Sequence, residues 1–294
     1  MSRYKTPLRY PGGKQRLAPF IREVMAGNGL LGGNYIEPYA GGAGVAMELL
    51  LGGDVSTIHL NDASPAIHAF WWSILEETEE FCRRIAAASL TVDEWRRQKA
   101  ILAATDGVGM VDLGFSLFFL NRCNRSGIPS GGVIGGLDQS GPWKIDARFS
   151  RVDLIARVEA IAFHRKKIRV TNLDAEDFIR RELPRMPAKS LVYLDPPYFN
   201  KAERLYLNHY TPDDHARLAR VIQREIRIPW VVSYDNAPEI LQHYATRQFF
   251  LYDLQYNAAK TYKGREAFFF SDKVRIPRES EIKAINDVLQ GIGA

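Results

Sequence analysis

The chain has 294 residues, 46% of them hydrophobic and 25% charged, with a formal net charge of +5. That composition excludes a disordered or fibrous chain and fits a soluble globular protein with one large core, or one core with an inserted subdomain. Cys82 and Cys123 are the only cysteines, too few for a disulfide framework or a zinc cluster. No apolar run approaches the roughly 20 residues needed to span a bilayer. The start, Met1-Ser2-Arg3-Tyr4-Lys5, has no apolar stretch behind it, so a cytoplasmic protein with no membrane partner is expected.

Asn34-Tyr35-Ile36-Glu37 reads as a strand, Pro38 to Gly44 as a tight glycine loop and Val45 to Leu51 as a helix. Thr57-Ile58-His59-Leu60 is a second strand ending at Asn61-Asp62, completing a βαβ unit of nucleotide-binding type. From Pro65 to about Arg122 the spacing turns helical, with Ile67, Phe70, Trp71, Ile74 and Leu75 in register. Val92 to Leu102 and Val111 to Leu120 read as further helices, and Phe115, Phe118 and Phe119 as core. Ser126 to Trp143 is glycine-rich and reads as a loop or hairpin.

Alternation then resumes with a strand at Ile168 to Thr171, a helix from Ala175 to Arg181 and a strand from Leu191 into Asp195. Pro212 to Ile226 is an amphipathic helix with His215 near its start, and Trp230 to Tyr234 is another strand. Gln248 to Leu254 and Ala267 to Phe270 pair as a closing antiparallel hairpin. The expected architecture is α/β: a doubly wound sheet formed by residues 1–63 and 166–294, interrupted by a mostly helical insert at 64–165.

The basic residues are clustered. Between Asn121 and Arg169 ten of them (Arg122, Arg125, Lys144, Arg148, Arg151, Arg157, Arg165, Lys166, Lys167 and Arg169) face four acids. A second cluster runs from Arg3 to Arg22. Interleaved with Gly, Asn and aromatics, both favour contact with nucleic-acid phosphates.

Asp195-Pro196-Pro197-Tyr198 follows the apolar run Leu191 to Leu194. The prolines lack N–H groups and have a locked φ, so the carbonyls here are held in place and cannot join a continuing ladder. A carboxylate and a carbonyl beside an aromatic ring suit a planar base with an exocyclic amine. Gly41-Gly42-Ala43-Gly44 gives a backbone room to approach a ligand, and Asp62 on the next strand can accept from both ribose hydroxyls. The full GxGxxG pattern is missing, which favours a nucleoside cofactor other than NAD. Pro11-Gly12-Gly13-Lys14 lacks the spacing of a phosphate loop, and the six histidines show no metal-ligand spacing.

Five motifs occur in order: Tyr10-Pro-Gly-Gly-Lys14, Glu37-Pro-Tyr-Ala-Gly-Gly-Ala-Gly44, Leu60-Asn-Asp62, Asp177-Phe178 and Asp195-Pro-Pro-Tyr198. Together they resemble the Dam-type (D12 class, α-group) DNA adenine-N6 methyltransferases, from about Leu8 to Asp272. Lys263-Gly-Arg-Glu266 looks like a late motif of that family. The resemblance implies a Rossmann-like class I S-adenosylmethionine-dependent methyltransferase sheet, with the insert as target-recognition domain. It further implies double-stranded DNA as partner, S-adenosylmethionine as cofactor and S-adenosylhomocysteine as product.

By the same resemblance Tyr10 and Lys14 lie over the cofactor beside the target base, and Glu37, Pro38, Ala40, Gly41, Gly42 and Gly44 surround its methionine part. Asp62 holds the ribose, while Asp177 and Phe178 contact the cofactor adenine. Asp195, Pro196, Pro197 and Tyr198 are catalytic, with Asp195 also facing the cofactor. Asn121, Arg122, Asn124, Arg125 and Lys144, on the stretch to Trp143, are the DNA-reading set. Asn121-Arg-Cys-Asn-Arg-Ser-Gly-Ile128 departs from the best-known GATC methylases and leaves the recognition sequence open.

N4-cytosine, RNA adenine or a glutamine amide are alternative acceptors, and an inactive DNA-binding relative is the alternative from another class. Asp rather than Asn at 195 favours adenine or cytosine over glutamine. The intact set Lys14, Asp62, Asp195 and Tyr198 argues against an inactive relative. A monomer or weak dimer fits, and a solitary or a restriction–modification setting remains open.

Overall fold

A computed structural model describes residues 5–9, 14–104, 107–199, 210–257 and 261–277, with the side chains of 252–265 left aside. Its centre is a seven-stranded sheet: β1 (Asn34–Glu37), β2 (Thr57–Asn61), β3 (Ile168–Thr171), β4 (Ser190–Leu194), β5 (Trp230–Asp235), β6 (Phe249–Asn257) and β7 (Thr261–Phe270). The spatial order is β3-β2-β1-β4-β5-β7-β6. Strands β1 to β5 run parallel, while β7 lies antiparallel between β5 and β6. This is the α/β, Rossmann-like doubly wound sheet expected from the sequence. Its order reverses between β1 and β4, and the crevice outside the carboxyl ends of such strands is where doubly wound sheets bind ligands.

Alternation along each strand explains why both faces are covered. Tyr35, Leu191, Tyr193, Val231, Phe268 and Phe270 enter one core. Their neighbours Ile36, Val192, Leu194, Val232 and Phe269 enter the other. Successive side chains of a strand point to opposite faces, so apolar runs such as Leu191 to Leu194 fill both layers at once.

On the first face lie α1 (Ala18–Gly27), α2 (Gly44–Leu51) and the insert helices α3 (Pro65–Glu76), α4 (Thr78–Ala87), α5 (Val92–Ala104), α6 (Met110–Cys123) and α7 (Arg151–Ala162). On the second lie α8 (Ala175–Arg181), α9 (Pro212–Glu225) and α10 (Pro238–His243). The helices from α3 to α7 therefore share one continuous core with the sheet. Helix α6 presses closely on α3: a Cβ at Gly114 would stand 2.6 Å from the Ala69 carbonyl oxygen, so only glycine permits this approach.

Phe115, Phe118 and Phe119 are buried, as their spacing predicts. His215 is buried under α9, with its Nδ1 3.1 Å from the Tyr234 hydroxyl. Helices α1, α7 and α10 had no expectation attached to them. No helix among the described residues is long and apolar enough to cross a membrane.

Candidate active site

Three acids stand at the carboxyl ends of adjacent parallel strands: Glu37 ends β1, Asp62 follows β2 and Asp195 follows β4. Glu37 is buried, and its Oε1 accepts from the Ala46 amide at 3.2 Å. That amide is one of the unpaired donors in the first turn of α2, whose N-cap, Ala43, offers no side-chain acceptor. Burial nonetheless dominates and pushes the Glu37 carboxyl from 4.5 to about 8, with Asp195 adding to the rise.

Between pH 4.5 and about 8 the folded protein keeps a proton on Glu37 that the unfolded chain has lost. Stability of the cofactor-free protein should therefore fall as pH rises through that window. Glu37→Gln keeps the acceptor for Ala46 but cannot ionise, so it should flatten the decline. Thermal melts of both proteins at pH 5 and pH 8.5 check this; identical losses of melting temperature would reject it.

Asp62 organises the glycine loop. One of its oxygens accepts from the Gly41 amide and the other from the Ser64 amide, both at 2.9 Å. Burial raises its pKa from 3.8 to about 6 against those two bonds. The loop is further fixed by the Trp71 indole, whose Nε1 donates to the Gly41 carbonyl at 2.9 Å. Pro38, Ala40, Gly41 and Gly42 are buried within this turn. At Gly44 a Cβ would lie 3.0 Å from the Gln15 Cβ, so glycine lets the segment carrying Lys14 pack on the start of α2.

Asn61, quoted in a motif without a role, is the hub of this edge. It is fully buried; its Nδ2 donates to the Pro38 and Leu173 carbonyls at 3.0 and 2.9 Å. Its Oδ1 accepts from the Thr171 hydroxyl at 2.9 Å and the Leu173 amide at 3.0 Å. The ends of β1, β2 and β3 are thus tied at one side chain.

Around Asp195 the side chains form a tight network. The Lys14 ammonium lies 3.0 Å from the Asp195 carboxylate and 2.7 Å from Glu266. The Ser233 hydroxyl donates to Asp195 at 2.8 Å and itself meets the Tyr193 hydroxyl at 2.8 Å. The Tyr198 hydroxyl donates to the second oxygen of Glu266, and the Lys14 ammonium stands 5.3 Å from the Tyr198 ring centre. Burial raises the Asp195 carboxyl above its ordinary range, opposed chiefly by the Lys14 charge. Pro196 and Pro197 are buried, and the Phe199 amide donates to Asp235 at 2.8 Å, which fixes the turn beyond them.

In the protein alone Lys14 sits in the acceptor network of Asp195, and Tyr198, only 4% exposed, is covered by Lys14. Ser233 and Glu266 belong to the network too; Ser233 gave no signal in the sequence, and Glu266 only a place in the late motif. Tyr10 lies outside the described residues.

The Asp177-Phe178 assignment does not hold. Phe178 is fully buried on the second face, its ring 4.8 Å from that of His59, so it has no free face for a cofactor. Asp177 sits one turn into α8 and pairs with Arg181 at 3.4 Å. The exposed acid at the end of β3 is Asp174, the N-cap of α8, whose side chain accepts from the Glu176 amide at 2.9 Å. Nearby, the Asn172 side chain donates to the Asp62 carbonyl at 2.7 Å.

The DNA-reading set also divides. Asn121 is buried: it accepts from the Arg9 amide at 2.7 Å and donates to the Arg9 and Gly127 carbonyls at 2.6 and 2.7 Å. Arg122 is buried as well and donates to the Arg148 carbonyl at 2.7 Å; burial lowers its pKa to about 9. Asn124 is fully buried, holding the Ile128 and Pro129 carbonyls and accepting from the Trp95 indole. These three are internal clamps, not reading groups.

Others of the basic cluster also turn inward. Arg151 donates to the Ala86 and Ala88 carbonyls, and Arg157 to that of Thr6. Arg125 and Lys144 stay exposed, beside a cavity of about 430 Å³ lined by Arg125, Gly135, Asp138 and Trp143. Trp143 is 67% exposed, with the Arg148 guanidinium 6.0 Å from its ring centre.

Residues 10–101 match the family model of the D12 class N6 adenine-specific DNA methyltransferases. The resemblance drawn from the motifs holds over that stretch, which includes Lys14, the glycine loop and Asp62. Over those residues the chain is similar to methyltransferases of that class. Similar solved structures include a putative RNA methyltransferase from Pyrococcus horikoshii at 10% identity and TM-score 0.42, covering 90% of this chain and 86% of that one. An rRNA methyltransferase, AviRa, from Streptomyces viridochromogenes matches at 13% identity and TM-score 0.37, over 89% and 86% of the two chains. A conserved hypothetical protein from Streptococcus pyogenes matches at 12% identity and TM-score 0.36, over 83% and 89%. Overlaps of that depth bear on neither substrate nor site. No curated protein matches the sequence at a significant level.

Proposed function

We propose that this protein is a methyltransferase that acts on the N6 amine of an adenine in double-stranded DNA, with S-adenosylmethionine as methyl donor. The observation that carries the reading is the acceptor network: Asp195, with its Oδ1 facing Lys14 and Ser233, at the switch point beside the acids of β1 and β2. The donor set fits the cofactor. Glu37 and Asp195 suit its cationic methionine part, and Asp62, held by two amides, suits vicinal ribose hydroxyls. When bound, S-adenosylmethionine supplies an electrophilic methyl group.

The rest is done by the chain. The adenine amine is a poor nucleophile because its lone pair is delocalised into the ring. Asp195 and the Pro196 carbonyl accept its two N–H groups, favouring a pyramidal nitrogen. Positive charge then develops on that nitrogen, beside the Asp195 carboxylate, so orientation and fixed charge lower the barrier without a covalent enzyme intermediate. Cys123 is buried, and burial raises its thiol to about 12, which suits it poorly as a nucleophile. Reaching an amine that is paired inside a duplex requires flipping the base out.

Asp174 replaces Asp177 in this reading as the acid that meets the cofactor adenine. Asp174→Ala should weaken cofactor binding by roughly tenfold, the worth of one hydrogen bond to a charged group. Asp177→Ala should leave it unchanged, and calorimetric titration with S-adenosylhomocysteine separates the two.

The function itself is tested with S-adenosylmethionine carrying a labelled methyl group, offered with duplex DNA and with RNA, followed by nucleoside analysis. Label in N6-methyladenine from DNA is the expected result. Label in N4-methylcytosine or only in RNA would replace the substrate, and none in either would reject the reading.

A further inference from the structure

Glu266 stands out because it is a buried carboxylate that the proposed chemistry does not use. Its side chain is 1% exposed, lies on β7 opposite Asp235 of β5, and spends both oxygens on the acceptor pocket. One accepts from the Tyr198 hydroxyl, the other from the Lys14 ammonium at 2.7 Å. Lys14 also bridges to Asp195 at 3.0 Å and covers the Tyr198 ring at 5.3 Å. In the protein alone Lys14 therefore does what a flipped base would do, giving protons to Asp195 and covering the aromatic face.

A base amine that donates to Asp195 Oδ1 competes with the ammonium and the Ser233 hydroxyl already there. Without a second acceptor the displaced charge would be stranded in a largely buried pocket, which is costly. Glu266 is that acceptor, already in contact. The same carboxylate fixes the Tyr198 hydroxyl, and with it the orientation of the ring.

We propose that Glu266 is a positioning residue of the acceptor pocket: it retains Lys14 when the target amine takes over Asp195, and it holds Tyr198 in the plane the base stacks on. The inference rests on the adenine-methylation reading and adds to it how the pocket exchanges its internal cation for substrate.

The test compares wild type with Glu266→Gln, Tyr198→Phe and the double variant, after melting temperatures show that each is folded. Glu266→Gln preserves size and one acceptor but removes the charge that retains Lys14. It should lower kcat roughly 10²-fold, the cost of misplacing a reacting group, with the KM for S-adenosylmethionine within about twofold of wild type. Tyr198→Phe should lower kcat less. In the double variant the two losses should fall short of adding, because the residues act through one contact.

Charged and titratable groups around Asp195 are Lys14, Glu266, Glu37, Tyr193, Tyr198, Tyr35 and Tyr234. Loss of Glu266 removes a like charge and should move the acid limb of the kcat profile to lower pH, which a purely structural defect would not do. Wild-type kcat in Glu266→Gln, or strictly additive losses with an unmoved acid limb, would overturn the proposal. A wild-type protein that methylates no nucleic acid would instead strike the methylation reading, and this inference with it.

Discussion

Asp195→Ala should lose methyl transfer by roughly 10³-fold or more in kcat, while it stays folded and largely retains S-adenosylhomocysteine binding. The loss is large because Asp195 is the charged acceptor in the proposed pocket, and the positive charge that develops on the amine nitrogen would face no carboxylate in its place. The fold should survive because the partners of Asp195 have other acceptors. Lys14 keeps Glu266 at 2.7 Å, and Ser233 keeps Tyr193 at 2.8 Å. Deleting a buried carboxylate that is raised above its ordinary range even removes an unfavourable charge burial. Single-turnover methylation with a parallel cofactor titration measures both quantities. Substantial turnover by a folded Asp195→Ala protein would remove Asp195 from the chemistry.

How far the sequence reached depended on the kind of signal. Strands such as Leu191 to Leu194 and Trp230 to Tyr234 were legible because β-branched and aromatic runs bounded by turn residues have few other readings. Helix α1 was not, because Arg16 and Arg22 drew its segment into a basic cluster. Its apolar stripe of Phe20, Ile21, Val24 and Met25, all buried, was the available signal. Helix α7 was hidden in the same way by Arg151 and Arg157, whose guanidinium groups turn back onto the Ala86, Ala88 and Thr6 carbonyls.

At the site, Asp62 and Asp195 were legible from their places at strand ends, since strand-terminal acids in an α/β sheet fall at the carboxyl edge, while Glu37 was reached only through the family resemblance. Asp177 fits the family motif because it is an acid followed by an aromatic, and nothing in the local sequence points to Asp174. The helix boundary decides otherwise: Asp174 is the N-cap, and four residues further on the helix turns Phe178 into the core. Glu266 escaped the site assignment because its partners, Lys14 and Tyr198, are 252 and 68 residues away in sequence, and no local pattern joins them.

The same distinction between local pattern and tertiary partner sets the second large effect. Asn121→Ala should destabilise the protein by about 3 kcal/mol without changing which DNA sequence is recognised. It would strip partners from the Arg9 amide, the Arg9 carbonyl and the Gly127 carbonyl, and each buried polar group left unpaired costs about 1–3 kcal/mol. At the scale of a large domain that corresponds to a melting temperature lowered by roughly 5–10 °C.

Arg125→Ala and Lys144→Ala should behave in the opposite way, since both side chains are exposed. Melting temperature should barely move, while DNA affinity drops and its dependence on salt becomes shallower by about one ion per lost phosphate contact. Binding isotherms between low and moderate salt, set beside thermal melts, distinguish the two classes. A stable Asn121→Ala protein with relaxed sequence preference would return that residue to the DNA interface. Unaltered binding by both Arg125→Ala and Lys144→Ala would move the interface away from the glycine-rich segment Ser126 to Trp143 and its exposed indole.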